Sequence, residues 1–132
     1  MGRQEDAGRW LAQSLADRET IDVLYHGERF YMVCFLSQQA AEKALKAFLY
    51  AQGVDPVFGH SVAHLCDRCA AYDSSFKELK PKVKNLDQFY IEARYPNGLP
   101  DQVPAEFYDR HDAQVAIEMV DRVLTAVRGK LA

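Results

Sequence analysis

No stretch of this 132-residue chain alternates apolar and polar residues at every second position, and nothing repeats at the intervals of solenoid proteins. Those absences argue against a half-buried sheet and against stacked repeats. There is no apolar run near the ~20 residues that a membrane span needs, and no signal-peptide pattern behind the opening Met-Gly-Arg-Gln-Glu-Asp. A cytosolic (cytoplasmic) protein with no membrane partner is therefore expected. The net charge of -3 gives no surplus of Lys and Arg for general nucleic-acid binding, although a local basic patch remains open. Cysteine is scarce too: Cys34, Cys66 and Cys69 are an odd set, so free thiols are expected in place of a disulfide framework. Gly-rich phosphate loops, nucleophile elbows and acidic metal clusters are all missing, so no complete catalytic constellation and no cofactor are expected.

What is present is helical periodicity. With 48% hydrophobic residues, 1–132 has the size of one domain with one core. Trp10, Leu11, Leu15, Ile21, Leu24 and Tyr25 recur at three- and four-residue intervals from Ala7 to His26, with Gly27 as the stop. A second helix runs from Glu28 or Arg29 to Ala51 or Gln52 and ends at Gly53. After the loop Asp55 to His60, a shorter helix spans His60 to Tyr72 with Ser61 as its cap. A fourth pattern runs from Phe76 to Arg94, in which Pro81 is tolerable if it sits in the first turn. Breakers fill Tyr95 to Tyr108, and a last helix covers Asp109 to Lys130, acidic at its start and basic at its end. Such a series predicts an all-α, up-and-down bundle of four or five helices. Trp10, Phe30, Phe48, Phe76, Phe89 and Tyr90 are expected in its core.

The second helix carries two faces. Phe30, Cys34, Ser37, Ala41, Ala44, Leu45, Phe48 and Leu49 fall on one side at about 100° per residue, and Gln39, Glu42, Lys43 and Lys46 on the other. Met32, Phe35, Leu36 and Tyr50 flank the polar stripe, and a surface that mixes charge with large apolar groups usually touches something.

The string Gln38-Gln-Ala-Ala-Glu-Lys-Ala-Leu-Lys46, preceded by Trp10 and followed by His60-Ser-Val-Ala-His-Leu65 and Arg94-Tyr-Pro96, resembles the HEPN family from about Trp10 to Leu124. The resemblance implies a dimerising four- or five-helix bundle, often produced beside a minimal nucleotidyltransferase and sometimes part of a toxin-antitoxin pair. The Arg94-to-Pro100 stretch also looks like the HEPN domain at the end of sacsin, for which nucleotide binding was proposed. Many HEPN proteins are metal-independent ribonucleases marked by an Arg followed, after four to six residues, by a His. Here the permitted positions before His26 are Glu19, Thr20 and Ile21; before His60, Gly53, Val54 and Asp55; before His64, Val57, Phe58 and Gly59; before His111, Pro104, Ala105 and Glu106. None is Arg, which points to the binding branch of the family and away from catalysis.

The candidate ligand- or partner-binding residues are Gln39, Glu42, Lys43, Lys46, His60, Arg94 and Tyr95. The lysines can meet phosphate as point charges, while the plainer reading makes the stripe a solvated face with Glu42 and Lys46 as an i,i+4 pair. Arg94 stands where Pro96 ends a helix, so it either binds an anion or caps the last carbonyls. His60 begins its helix and bonds a neighbouring backbone group. His60, His64, Cys66 and Cys69 have metal-ligand chemistry, but on a helix the two cysteines point away from the two histidines. The expected function is a non-catalytic HEPN homodimer that binds nucleotide and serves as substrate-binding partner of a separate nucleotidyltransferase. The alternatives are a ribonuclease toxin with a displaced pair, Arg94 and His111, and a pure protein-interaction module.

Overall fold

The computed structural model describes residues 2–131. Its elements are α1 (Arg3–His26), α2 (Phe30–Ala51), α3 (Val62–Ala70), α4 (Phe76–Val83), a 3-10 turn (Lys84–Gln88), α5 (Phe89–Glu92), a second 3-10 turn (Pro96–Gly98), α6 (Pro104–Phe107) and α7 (Arg110–Leu131). Among the described residues there is no strand, and the architecture is the all-α bundle that the periodicity predicts.

α2 is the central element, packed against α1, α3 and α7 and touched by α5 and α6. The sequence reason is its run of small residues: Ala40, Ala41, Ala44 and Ala47 are all buried, so neighbouring backbones can approach closely. α1 approaches near enough for the buried Ser14 Oγ to donate to the Ala40 carbonyl at 2.6 Å. Leu45, Phe48 and Leu49 then meet Leu65, Phe76, Val120 and Val123 in one core cluster. Of the aromatic residues expected inside, Phe48, Phe76 and Phe89 are buried, whereas Trp10, Phe30 and Tyr90 are half-buried.

α1 ends at His26 with Gly27 as its C-cap, as its sequence predicts, and two other local expectations change. Gly27 has an ordinary φ of -82°, and it is Glu28 that turns left-handed at φ 58°. The Glu28 amide bonds Tyr25 O at 3.0 Å and the Arg29 amide bonds Leu24 O at 2.9 Å, which is the two-bond Schellman closure. α2 closes in the same way, with Gly53 at φ 93°, as its sequence predicts. Pro81 lies late in α4 and not in its first turn; its missing N–H removes a helical bond, and the chain tightens into the 3-10 turn three residues on, so Phe76 to Arg94 is no single helix. His60 precedes α3, whose N-cap is Ser61.

Candidate functional site

Three consecutive features of α2 fix the loop before α3. Gln38, fully buried, donates from Nε2 to the His60 carbonyl at 2.7 Å, and Gln39 Nε2 donates to Gln38 Oε1 at 2.7 Å. One turn on, Glu42 Oε1 lies 2.8 Å from His60 Nδ1. The loop is held from the far side by Asp87 of the 3-10 turn, whose carboxylate accepts from Ser61 Oγ at 2.9 Å and from the Val62 and Ala63 amides at 2.6 and 3.1 Å. A carboxylate at a helix N-terminus satisfies free amides and meets the positive end of the helix dipole. Ser61 Oγ in turn accepts from the His64 amide.

The fixed loop presents the His60 ring, stacked on Tyr90 at 4.7 Å and 19°. Arg94 follows Tyr90 by one helical turn. Its Nε donates to the Tyr90 carbonyl at 2.7 Å, the capping role open to it from sequence, and its guanidinium lies 4.4 Å from the Phe35 ring, 4.7 Å from Tyr90 and 5.1 Å from Tyr95. His60, Ser61, Asp87 and Tyr90 line a shallow void of about 200 Å³.

This arrangement has definite chemistry. Nδ1 faces a carboxylate, so it carries the hydrogen and Nε2 is directed away from Glu42; the His60 side chain is 59% exposed and can engage a ligand. Arg94 spends only Nε on the backbone, leaving its terminal nitrogens for an anion, while the aromatic rings hold the guanidinium plane. Tyr95 is exposed beside it. Stacking surface and cation thus sit together.

Lys43 and Lys46 point elsewhere. Lys43 Nζ is 2.6 Å from Asp17 of α1, and Lys46 Nζ lies 5.4 Å from the Trp10 ring centroid. The stripe, for which a solvated face is the plainer reading of the sequence, is covered by α1 and by the His60 loop: Glu42 is 4% and Lys46 6% exposed, and their own separation is 4.0 Å. Glu42 joins the two sides, with His60 on one carboxylate oxygen and Lys46 facing the other.

His111 lines a different groove with Glu92, Tyr108 and Asp112, and Arg94 is not among that groove's residues. Cys66 and Cys69 are buried in the core while His60 faces outward, so these residues do not converge. Burial, the largest cause, pushes the Cys34 and Cys66 thiols up to about 12 and Cys69 higher still. Gln38, Asp87 and Tyr90 were not singled out for the site by sequence. Gln38 stands inside the quoted string, but only the fold shows that it faces the loop, and the bond from Asp87 spans a sequence distance that no local pattern reports.

A family model described as HEPN domain matches residues 7–130. A Methanocaldococcus jannaschii protein named "Putative toxin MJ1304" is 29% identical over 129 residues, covering 90% of this chain and 84% of its own. Among solved structures, TT1696 from Thermus thermophilus superposes with a TM-score of 0.89 at 31% identity, covering 98% of this chain and 99% of that one. ST0689, described as an archaeal HEPN homologue, gives a TM-score of 0.78 at 34% identity over the whole of both chains.

Proposed function

The chain belongs to the HEPN domain family, and from that premise we propose that it is a toxin-antitoxin-type HEPN protein that acts by binding. It takes a nucleotide on the face formed by Gln39, His60, Arg94 and Tyr95, and presents it to a separate minimal nucleotidyltransferase in the cytoplasm. The observation that carries this reading is the row Glu42–His60–Tyr90–Arg94, in which a buried carboxylate orients an exposed imidazole, an aromatic ring contacts both that imidazole and a guanidinium, and Tyr95 extends the surface. A base stacks on such rings and a phosphate pairs with the cation. Lys46 supports the face from behind through Glu42. The molecule works as a homodimer in which the half-buried Tyr31, Met32 and Leu36 become covered.

Calorimetric titration of nucleotides, and of a nucleotidyltransferase encoded beside this gene, tests the reading against Arg94→Ala and His60→Ala proteins. Binding should fall roughly tenfold in each variant, a loss near 1.4 kcal/mol, with the melting curve little changed for the exposed His60. Equal binding by all three proteins would remove the site from this face. Light scattering at micromolar concentration should give twice the 15.0 kDa chain mass.

The Methanocaldococcus jannaschii relative is named a toxin, and the exposed His60 beside Arg94 favours one other reading of such a role, cleavage of RNA by this chain itself. His60 oriented by Glu42 would then serve as base with Arg94 on the phosphate. Cleavage by purified protein, lost in His60→Ala and Arg94→Ala, would replace the binding reading.

A further inference from the structure

We propose that the groove built on Trp10, between α1 and α2, is a second ligand site that takes a free nucleotide, the ring stacked on the indole and the phosphate on Arg9. It goes beyond the face at His60 and does not depend on it. Trp10 lies over α2 with the Tyr50 ring stacked against it at 5.4 Å and 23°, and with Lys46 Nζ 5.4 Å from its centroid. Both supports are buried, so they occupy the protein side of the indole. The indole itself is half-buried and lines a void of about 340 Å³ with Arg9, Gln13 and Lys43. That volume falls within the range of small-molecule sites.

Charge selects the occupant. Gln13 Nε2 and Lys43 Nζ both bond the Asp17 carboxylate, at 3.0 and 2.6 Å, and Arg9 pairs with Asp6 at 2.8 Å. The side chains of Asp17 and Asp6 are only 11% and 14% exposed, whereas that of Arg9 is 61% exposed. Lys43 is 24% exposed, so of the charged groups around the groove the Arg9 guanidinium is the one that reaches solvent, and an entering ligand meets it beside the aromatic floor. Lys46 underneath makes the indole a cation–π pair from the inner side, which holds the ring flat against α2. A planar ring with an attached anion satisfies floor and rim together; a bare anion uses the rim alone.

Trp10 is the single tryptophan of the chain, so its fluorescence reports this groove directly. Adenosine monophosphate should quench it saturably, ribose 5-phosphate should not, and the quench should survive in a His60→Ala/Arg94→Ala protein. Arg9→Ala, an exposed change that leaves the ring in place, should weaken the quench-derived affinity severalfold. By calorimetry on the protein carrying both His60→Ala and Arg94→Ala, adding Trp10→Ala should weaken adenosine monophosphate by roughly tenfold or more, with Trp10→Phe in between. No saturable quench, equal quench by ribose 5-phosphate, or loss of the quench in the His60→Ala/Arg94→Ala protein would each overturn the proposal. The last outcome would leave the face at His60 standing, and the two readings thus fail separately.

Discussion

Glu42 and Lys46 offer the sharpest test of how this bundle is held together. Glu42 has two partners, His60 at 2.8 Å and Lys46 at 4.0 Å, whereas Lys46 has Glu42 and the face of Trp10. At 4.0 Å two unit charges attract by about 4 kcal/mol at an effective dielectric of 20, before desolvation is subtracted. Glu42→Leu strands the buried ammonium and frees the His60 ring, and removal of one partner from a buried pair typically costs about 3–5 kcal/mol. Lys46→Met leaves Glu42 bonded to His60 and keeps an unbranched side chain under Trp10, so it should cost about 1 kcal/mol or less. The double variant carries no stranded cation, and should recover about 1–3 kcal/mol relative to Glu42→Leu alone. Urea unfolding with unchanged m-values measures all four corners of the cycle. Additive losses, or a Glu42→Leu protein within about 1 kcal/mol of wild type, would refute the view that Glu42 is the hub.

Glu28 adopts φ 58°, a region that costs a non-glycine residue about 1–2 kcal/mol, and its exposed ion pair with Arg110 offsets little of that; Glu28→Gly should raise stability by up to about 1 kcal/mol, seen as a higher urea midpoint. Asp73 is held down at about 2 by the Ser75 hydroxyl first, then by Lys130 and the Ser75 amide. A depressed folded value means its contribution is present above the unfolded value near about 4 and is lost as pH falls through about 2. Asp73→Asn should therefore flatten the decline in melting temperature between those two pH values, and an unchanged acid limb would exclude the pair as its source. The three thiols, all buried and all raised by desolvation, should resist an aromatic disulfide reagent at about pH 8 in native protein and react fully in denaturant.

Helix existence was legible because a 3.6-residue period survives in any window of about ten or more residues. The centre of α2, the closure at Gly53, the Ser61 cap and the start of α7 all lie where local chemistry places them; Asp109 Oδ1 accepts from the Asp112 amide and Asp112 Oδ2 from the Asp109 amide, a reciprocal cap. The left-handed residue Glu28 falls one position after the only glycine nearby, where the local sequence gives no sign of it. Pro81 falls outside the first turn because the Ser74-Ser75 break fixes the start of α4 five residues before it.

The site was half legible for a related reason. Periodicity puts Gln39, Glu42, Lys43 and Lys46 on one sector of α2, and that grouping is real, but it says nothing of what covers the sector. Once α1 lies on one edge of it and the His60 loop on the other, identical residue types take opposite tasks: Lys43 turns to Asp17, Lys46 is roofed by Trp10, and Glu42 reaches the imidazole. Charged groups desolvated to this degree add little net stability, and an apolar replacement of matching volume commonly does as well. Their effect here is positional. Gln38 and Glu42 fix both the backbone carbonyl and the ring of His60 from a single rigid helix, so the imidazole meets Tyr90 in one orientation, and Arg94 is tied to the carbonyl of that same tyrosine. A ligand that contacts His60 and Arg94 together meets groups whose ordering entropy was lost on folding, and that preorganisation is what a buried Gln-Gln-Ala-Ala-Glu-Lys helix supplies to an exposed surface.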